Sequence, residues 1–113
     1  MDEIVFLSTG DTCRSPMAEG LFRAMSGEQQ TGLRAASAGV FTVDGLCASE
    51  NAQIVAAELG ADLSTHRSRV LTLEIVEQAK YLVCMTGVHM DRVLEAFPDV
   101  RKKLFSLLPQ DVS

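Results

Sequence analysis

The chain has 113 residues, a length that suits one domain with a single hydrophobic core. Hydrophobic residues make up 47% of it and aromatic residues only 5%, which favours an aliphatic α/β core. The formal net charge of −5 argues against a general nucleic-acid binder, because affinity for a phosphate backbone needs a basic surface.

Three further features of the sequence indicate the cellular compartment. No apolar segment approaches the thickness of a bilayer, so no membrane partner is expected. The start, Met1-Asp2-Glu3, is acidic where a signal peptide is basic. The three cysteines are odd in number and widely spaced, which is not a disulfide framework. We therefore expect a cytoplasmic protein.

An apolar run opens the chain, and a polar loop follows it. Ile4-Val5-Phe6-Leu7 has no polar alternation, which is typical of a strand buried on both faces of a parallel sheet. Ser8 to Arg14 are small or polar, and Ser15-Pro16 then suits the cap and first position of a helix. Such a loop gathers backbone N–H groups at the positive end of a helix dipole. This predicts an anion site, most often for phosphate, to which Arg14 adds a planar donor.

The rest of the chain alternates between helical and strand patterns. In chain order the patterns predict a helix carrying Met17, Leu21, Ala24 and Met25, a strand over 33–40, a helix from Cys47 to Leu59 carrying Ala48, Ala52 and Val55, a short helix over 71–79, a strand over 81–85, a helix with Met90, Val93, Leu94 and Phe97 on one face, and a strand over 104–108. This order predicts a four-stranded, parallel, doubly wound (flavodoxin-like) sheet with flanking helices. The first loop then lies at the carboxyl end of a strand, where such sheets bind ligands.

The loop also resembles a known family. Its residues Thr9-Gly10, Thr12 to Ser15 and Pro16-Met17-Ala18-Glu19 are similar to the pattern C-x5-R-S-P-M-A-E of the low-molecular-weight phosphotyrosine phosphatases and their bacterial phosphoarginine-phosphatase relatives. The similarity extends to Ser37-Ala38-Gly39, to 62–67 and to the strand end at 82–86. The resemblance implies hydrolysis of phosphotyrosine or phosphoarginine on a protein side chain through a cysteinyl-phosphate, with no cofactor and no metal. Thr12 favours the phosphoarginine branch.

Two positions depart from the family pattern. Ser8 stands where the family has its nucleophilic cysteine, and Asp11 stands where it has asparagine. A loop of this kind lowers the pKa of a thiol, but it cannot ionise a serine hydroxyl in the same way, and the motif offers no histidine or lysine as a base. We therefore expect an inactive form that retains phosphate binding, either engineered or natural. The carboxylate of Asp11 can only accept hydrogen bonds and brings negative charge, which predicts weaker phosphate binding.

The resemblance also implies roles for individual residues. Phosphate would be bound by the loop residues Thr9, Gly10, Asp11, Thr12, Cys13 and Arg14. Arg14 would also stabilise the charge of the transition state, and Ser15 would bond the nucleophile position. Asp11, Ser37 and His66 would brace the loop. We expect Cys47 and Cys84 to be buried and His89 to lie on the surface.

Two alternatives remain open. One is a non-catalytic phosphate-binding module, which takes Ser8 at face value. The other is a thiol-coupled arsenate reductase, which needs two further cysteines after the third strand. Cys84 lies near one such place, but no second cysteine follows it.

The end of the chain differs from the resembling phosphatases. Their general acid is an aspartate followed by proline after the fourth strand, and a last helix covers the sheet. This chain ends at Asp111-Val112-Ser113, without that proline. The resemblance thus implies that residues 1–113 form a single phosphatase domain, truncated at its C-terminus and lacking the acid loop and last helix. The apolar sheet face left bare would favour self-association.

Overall fold

Four parallel strands form one sheet in this computed structural model, which describes residues 2–107. The strands are β1 (Glu3–Ser8), β2 (Arg34–Gly39), β3 (Ala79–Cys84) and β4 (Leu104–Ser106). Their order is β2-β1-β3-β4, so the sheet grows in opposite directions from β1. The predicted four-stranded, parallel, doubly wound sheet is confirmed.

Helices cover both faces of this sheet. They are α1 (Arg14–Ala24), α2 (Gly27–Thr31), α3 (Glu50–Glu58), α4 (Leu73–Gln78), α5 (Gly87–Ala96) and a 3₁₀ helix (Pro98–Lys103). Within residues 2–107, none of these helices is long and apolar enough to cross a membrane.

The strand β1 is buried because alternate side chains face two separate apolar layers. Val5 and Leu7 are fully buried in the layer that contains Val93 of α5 and Val100 of the 3₁₀ helix. Phe6 faces the other way, toward the layer that includes residues of α1. A strand enclosed on both faces needs a continuous apolar sequence, which explains the run from residue 4 to 7.

The helix α1 begins two residues earlier than predicted. The N–H of Met17 donates to the carbonyl of Cys13 at 3.1 Å, so the first helical turn closes on Cys13. Ser15 is therefore not the N-cap, and Pro16 is the third helical residue. The hydroxyl of Ser15 is buried and forms hydrogen bonds elsewhere in the loop.

Other boundaries also differ from the sequence prediction. The short helix α2, which was not predicted, follows α1 at Gly27. Ala79 starts β3 instead of ending the preceding helix. In α3 the buried side chains are Ala52 and Ala56, whereas the predicted core residues Val55 and Leu59 are exposed. Small residues face the core here because α3 packs closely against α1. Leu108, the predicted last residue of the fourth strand, lies outside the described residues, as does Asp111.

Candidate functional site

The candidate site is the loop of residues 9–13, which joins β1 to α1. It leaves the carboxyl end of β1, beside the point where the strand order reverses between β1 and β3. In doubly wound sheets this is the position at which ligands bind. The helix α1 has eleven residues and points its N-terminus at the loop, which adds the partial positive charge of its dipole.

The loop is held by its carbonyl groups. The carbonyl of Thr9 accepts from the N–H of Phe41 at 2.9 Å, and that of Thr12 accepts from the N–H of Ser49 at 2.7 Å. By contrast, the N–H groups of Gly10, Thr12 and Cys13 have no acceptor within residues 2–107. These donors remain for an external acceptor, which an oxyanion can supply.

The end of β2 passes very close to the loop. A Cβ atom at Gly39 would lie 2.8 Å from the carbonyl oxygen of Thr9 and 3.1 Å from the carbonyl carbon of Gly10. Real Cβ atoms do not come this near to backbone, so only glycine fits at this position. A glycine at the end of β2 thus lets this strand pass directly beside the loop.

Three polar side chains are buried together beneath the loop. The Oγ atoms of Ser8 and Ser15 lie 2.6 Å apart. The hydroxyl of Ser15 donates to Oδ1 of Asp11 at 2.8 Å, and the N–H of Asp11 lies 3.3 Å from Oγ of Ser8. All three residues are at most 4% exposed. The structure therefore links the nucleophile position to a buried carboxylate through a single hydroxyl.

Asp11 is fixed from outside the loop as well. Its φ of 56° is left-handed, a conformation that aspartate tolerates better than most residues. Oδ2 accepts from the backbone N–H of Arg69 at 2.9 Å. The carbonyl oxygen of Asp11 lies 2.7 Å from Nε2 of His66, and because a carbonyl only accepts, Nε2 carries the proton. His66 thus contacts the loop that it was expected to brace.

Arg14 is exposed to solvent, whereas Ser37 is buried in the sheet. Arg14 is the first residue of α1, and its side chain has no hydrogen bond or ion pair with any described residue. Its guanidinium is therefore free of internal partners. Ser37 is buried in β2, and its carbonyl oxygen accepts from Nε of Arg69 at 3.2 Å. It reaches the loop only through Arg69, which also bonds Asp11.

Two contributors to the site were missed by the sequence analysis. His89 was expected on the surface, but it is buried, and its Nε2 lies 2.8 Å from the hydroxyl of Thr9. The surface expectation failed because α5 begins beside the loop, so that His89 packs against Thr9. Arg69 acts on Asp11 through a backbone N–H, which leaves no signal in the sequence.

The cysteines fall into two environments. Cys84 is buried, as expected, and burial raises the pKa of its thiol to about 12. Cys47 is exposed, so the expectation that it is buried was wrong: it lies ahead of α3, which begins at Glu50, and does not belong to the helix face that packs on α1. Cys13 is exposed in the loop, and all three cysteines are free.

Comparison with known proteins identifies relatives along most of the chain. The family described as low molecular weight phosphotyrosine protein phosphatase matches residues 3–111. A protein-arginine-phosphatase of Geobacillus stearothermophilus is 40% identical over 104 residues, which cover 92% of this chain and 68% of that protein.

Solved structures give the same relationship. A mutant YwlE arginine phosphatase with a serine in place of its active-site cysteine, and with that serine phosphorylated, is 38% identical with a TM-score of 0.86; the match covers 95% of this chain and 69% of that one. The tyrosine phosphatase Wzb from Escherichia coli K30, in complex with sulphate, is 28% identical with a TM-score of 0.85, covering 99% of this chain and 78% of that one. The chain belongs to the low molecular weight phosphotyrosine protein phosphatase family.

Proposed function

We propose that this chain binds a phosphorylated protein side chain at the loop between β1 and α1, and that it does not turn substrate over through a cysteinyl-phosphate. The observation that carries the proposal is the set of loop N–H groups at Gly10, Thr12 and Cys13 that have no acceptor within the described residues. They lie at the N-terminus of α1, beside the unpartnered guanidinium of Arg14. A phosphoryl group supplies the three oxygens that such donors need.

The relatives support the position of the phosphoryl group. The serine-containing YwlE mutant carries a phosphoryl group on its active-site serine, and Wzb binds sulphate. We infer that Ser8 lies under the phosphoryl site of this chain. Because position 8 is serine, the ordinary thiolate route of the family is closed.

For the substrate class we propose phosphoarginine ahead of phosphotyrosine. The support is the 40% identity to a protein-arginine-phosphatase, together with Thr12 in the loop. Both side chains carry a phosphoryl group that would occupy the same loop. Direct comparison of the two as ligands distinguishes them.

The structure gives the arsenate-reductase alternative little support. That chemistry needs thiols that reach one another by disulfide exchange. Cys84 is buried and its thiol has a pKa of about 12, so it is a poor source of thiolate. The three free cysteines suit a reducing compartment, and we propose a cytoplasmic location on that basis.

The test restores the family residues in two steps. Ser8→Cys and Ser8→Cys combined with Asp11→Asn are assayed with p-nitrophenyl phosphate, whose leaving group departs without a proton, and with phosphoarginine. We expect turnover in the double variant and none in the unaltered chain. The matched control is Glu58→Gln combined with Ser8→Cys, which makes a carboxylate-to-amide change on the exposed surface of α3.

Binding is measured separately from turnover. Calorimetry of the unaltered chain with phosphoarginine should show saturable binding that is lost when Arg14 is replaced by alanine. The proposed function is wrong if the unaltered chain binds no phosphorylated ligand and the Ser8→Cys, Asp11→Asn variant shows no turnover.

A further inference from the structure

We propose that Ser8 is itself a nucleophile that accepts one phosphoryl group, and that Asp11 receives its proton through Ser15. This rests on the proposed function, because the phosphorylated ligand must first bind at the loop. It goes beyond that function in making the site a covalent acceptor that reacts once. The sequence offered no base for Ser8, and the structure supplies one.

The direction of the hydrogen bonds follows from counting protons. Both carboxylate oxygens of Asp11 accept, Oδ2 from the N–H of Arg69 and Oδ1 from the hydroxyl of Ser15. Ser15 has one proton, and it is given to Asp11. The 2.6 Å contact between the hydroxyl oxygens therefore requires Ser8 to donate to Ser15. The proton of Ser8 already points along a path that ends on a carboxylate.

An asparagine at position 11 would reverse this direction. Its single carbonyl oxygen would have to face the N–H of Arg69, because the opposite orientation sets two donors against each other. The amide NH₂ would then donate to Ser15, and the proton of Ser15 would point at position 8. In that arrangement the atom at position 8 accepts from Ser15, as a thiolate can, and a hydroxyl there would have no path for its own proton to a carboxylate. Ser8 and Asp11 are thus matched to each other.

The proposed step moves the phosphoryl group from its donor to Ser8. Oγ of Ser8 attacks phosphorus and forms an O–P bond, while the bond from phosphorus to the leaving group breaks. The electron pair of that bond departs on p-nitrophenolate, or on a guanidine nitrogen that takes a proton from water. The proton of Ser8 passes to Ser15, whose own proton passes to Oδ1 of Asp11. The N–H of Asp11, 3.3 Å from Oγ of Ser8, faces the oxygen that loses its proton.

The product is a phosphoserine that accumulates. Asp11 holds the transferred proton beneath the loop, where it is fully buried and cannot activate a water on the far side of phosphorus. Within residues 2–107, no other carboxylate contacts Ser8 or Ser15. Transfer is therefore expected once per chain, without steady turnover.

The experiment follows both products of the step with p-nitrophenyl phosphate as donor. We expect a burst of one equivalent of p-nitrophenolate per chain, with no steady rate after it. Intact-protein mass spectrometry should show one added phosphoryl group, placed on Ser8 by peptide mapping. Ser8→Ala should lose both signals.

The relay is tested by a double-mutant cycle. Asp11→Asn should slow the burst about 100-fold or more, the range of general-base catalysis. Ser15→Ala should slow the burst by a similar factor. The double variant should be no slower than either single variant, because both changes break the same proton path. Glu58→Gln should leave the burst unchanged. Calorimetric binding of inorganic phosphate by Asp11→Asn, at least as tight as that of the unaltered chain, excludes a folding defect.

Two outcomes overturn the inference while leaving the proposed function intact. In the first, the chain binds phosphoarginine and shows no added mass after prolonged incubation. In the second, Asp11→Asn is phosphorylated at the unaltered rate. Failure of the proposed function is a different result, in which neither the chain nor its Ser8→Cys, Asp11→Asn form responds to any phosphorylated ligand.

Discussion

The carboxylate of Asp11 accepts a hydrogen bond from the backbone N–H of Arg69 at 2.9 Å, across 58 positions of the chain. His66 bonds the carbonyl oxygen of the same aspartate from the same segment. The loop after β1 therefore takes its shape from residues that precede β3. Its N–H groups are arranged by distant packing as well as by the local sequence.

Removal of the His66 contact should weaken both stability and binding. In His66→Ala the carbonyl of Asp11 loses its donor, at a cost of about 1–3 kcal/mol in the free energy of unfolding. Inorganic phosphate should bind more weakly because the left-handed Asp11 is less firmly held. Urea unfolding and calorimetry measure the two effects. Thr65→Ala, an exposed neighbour, should change neither. If His66→Ala behaves like Thr65→Ala, the bracing role is wrong.

A methyl group at position 39 should disturb the loop directly. Gly39→Ala places a Cβ 2.8 Å from the carbonyl oxygen of Thr9, and the resulting shift should cost about 1–3 kcal/mol of stability and reduce phosphate affinity. The control is Gly32→Ala, where φ is +72° but the surroundings are open. That variant should lose stability through backbone strain and keep its affinity. Equal phosphate affinity in both variants would contradict the close approach described here.

The elements around the site show which structural features can be predicted from sequence patterns and which cannot. The strand β1 and the loop were predictable because an apolar run, a polar segment and a proline occur within seventeen residues. The contact of Ser15 with Asp11 was not, since a serine at this position also suits a helix cap. His89 gave no signal because its burial depends on how α5 docks beside Thr9. The contact of Arg69 is made by the backbone, which any residue except proline provides.

Thiol reactivity should separate the three cysteines. Only a thiolate reacts with alkylating agents, so Cys84, with a pKa of about 12, should resist labelling in the native chain at about pH 8. Cys13 and Cys47 are exposed and should react. Mass spectrometry should therefore count two labels in the native chain and three in denaturant. Rapid labelling of Cys84 in the folded chain would show that its surroundings are open.

The same pKa predicts how stability changes with pH. Cys84 titrates near its ordinary value of about 8.5 when unfolded and at about 12 when folded. Below about pH 8.5 both states are neutral and its contribution is fully present. As pH rises from there toward 12 the unfolded state loses its proton first, so stability falls. Urea unfolding across this pH range compares Cys84→Ala with the unaltered chain. The free energy of unfolding should fall less in Cys84→Ala, and an equal fall in both would show that other groups cause it.

The guanidinium of Arg14 should contribute to affinity through its planar pair of donors. Arg14→Lys keeps the charge but cannot bind two oxygens at once, and inorganic phosphate should bind about 10-fold more weakly or worse. Arg101→Lys, an exposed position on the 3₁₀ helix, should have no effect on calorimetric affinity. Equal losses in the two variants would point to general charge attraction in place of a defined contact.

The most direct test of the account is an amide NMR titration of the unaltered chain with inorganic phosphate. We predict that the largest saturable shifts fall on the N–H groups of Gly10, Thr12 and Cys13, and that Arg14→Ala abolishes them. Shifts that saturate at another surface, or loop amides that do not respond to phosphate, would contradict an oxyanion site between β1 and α1.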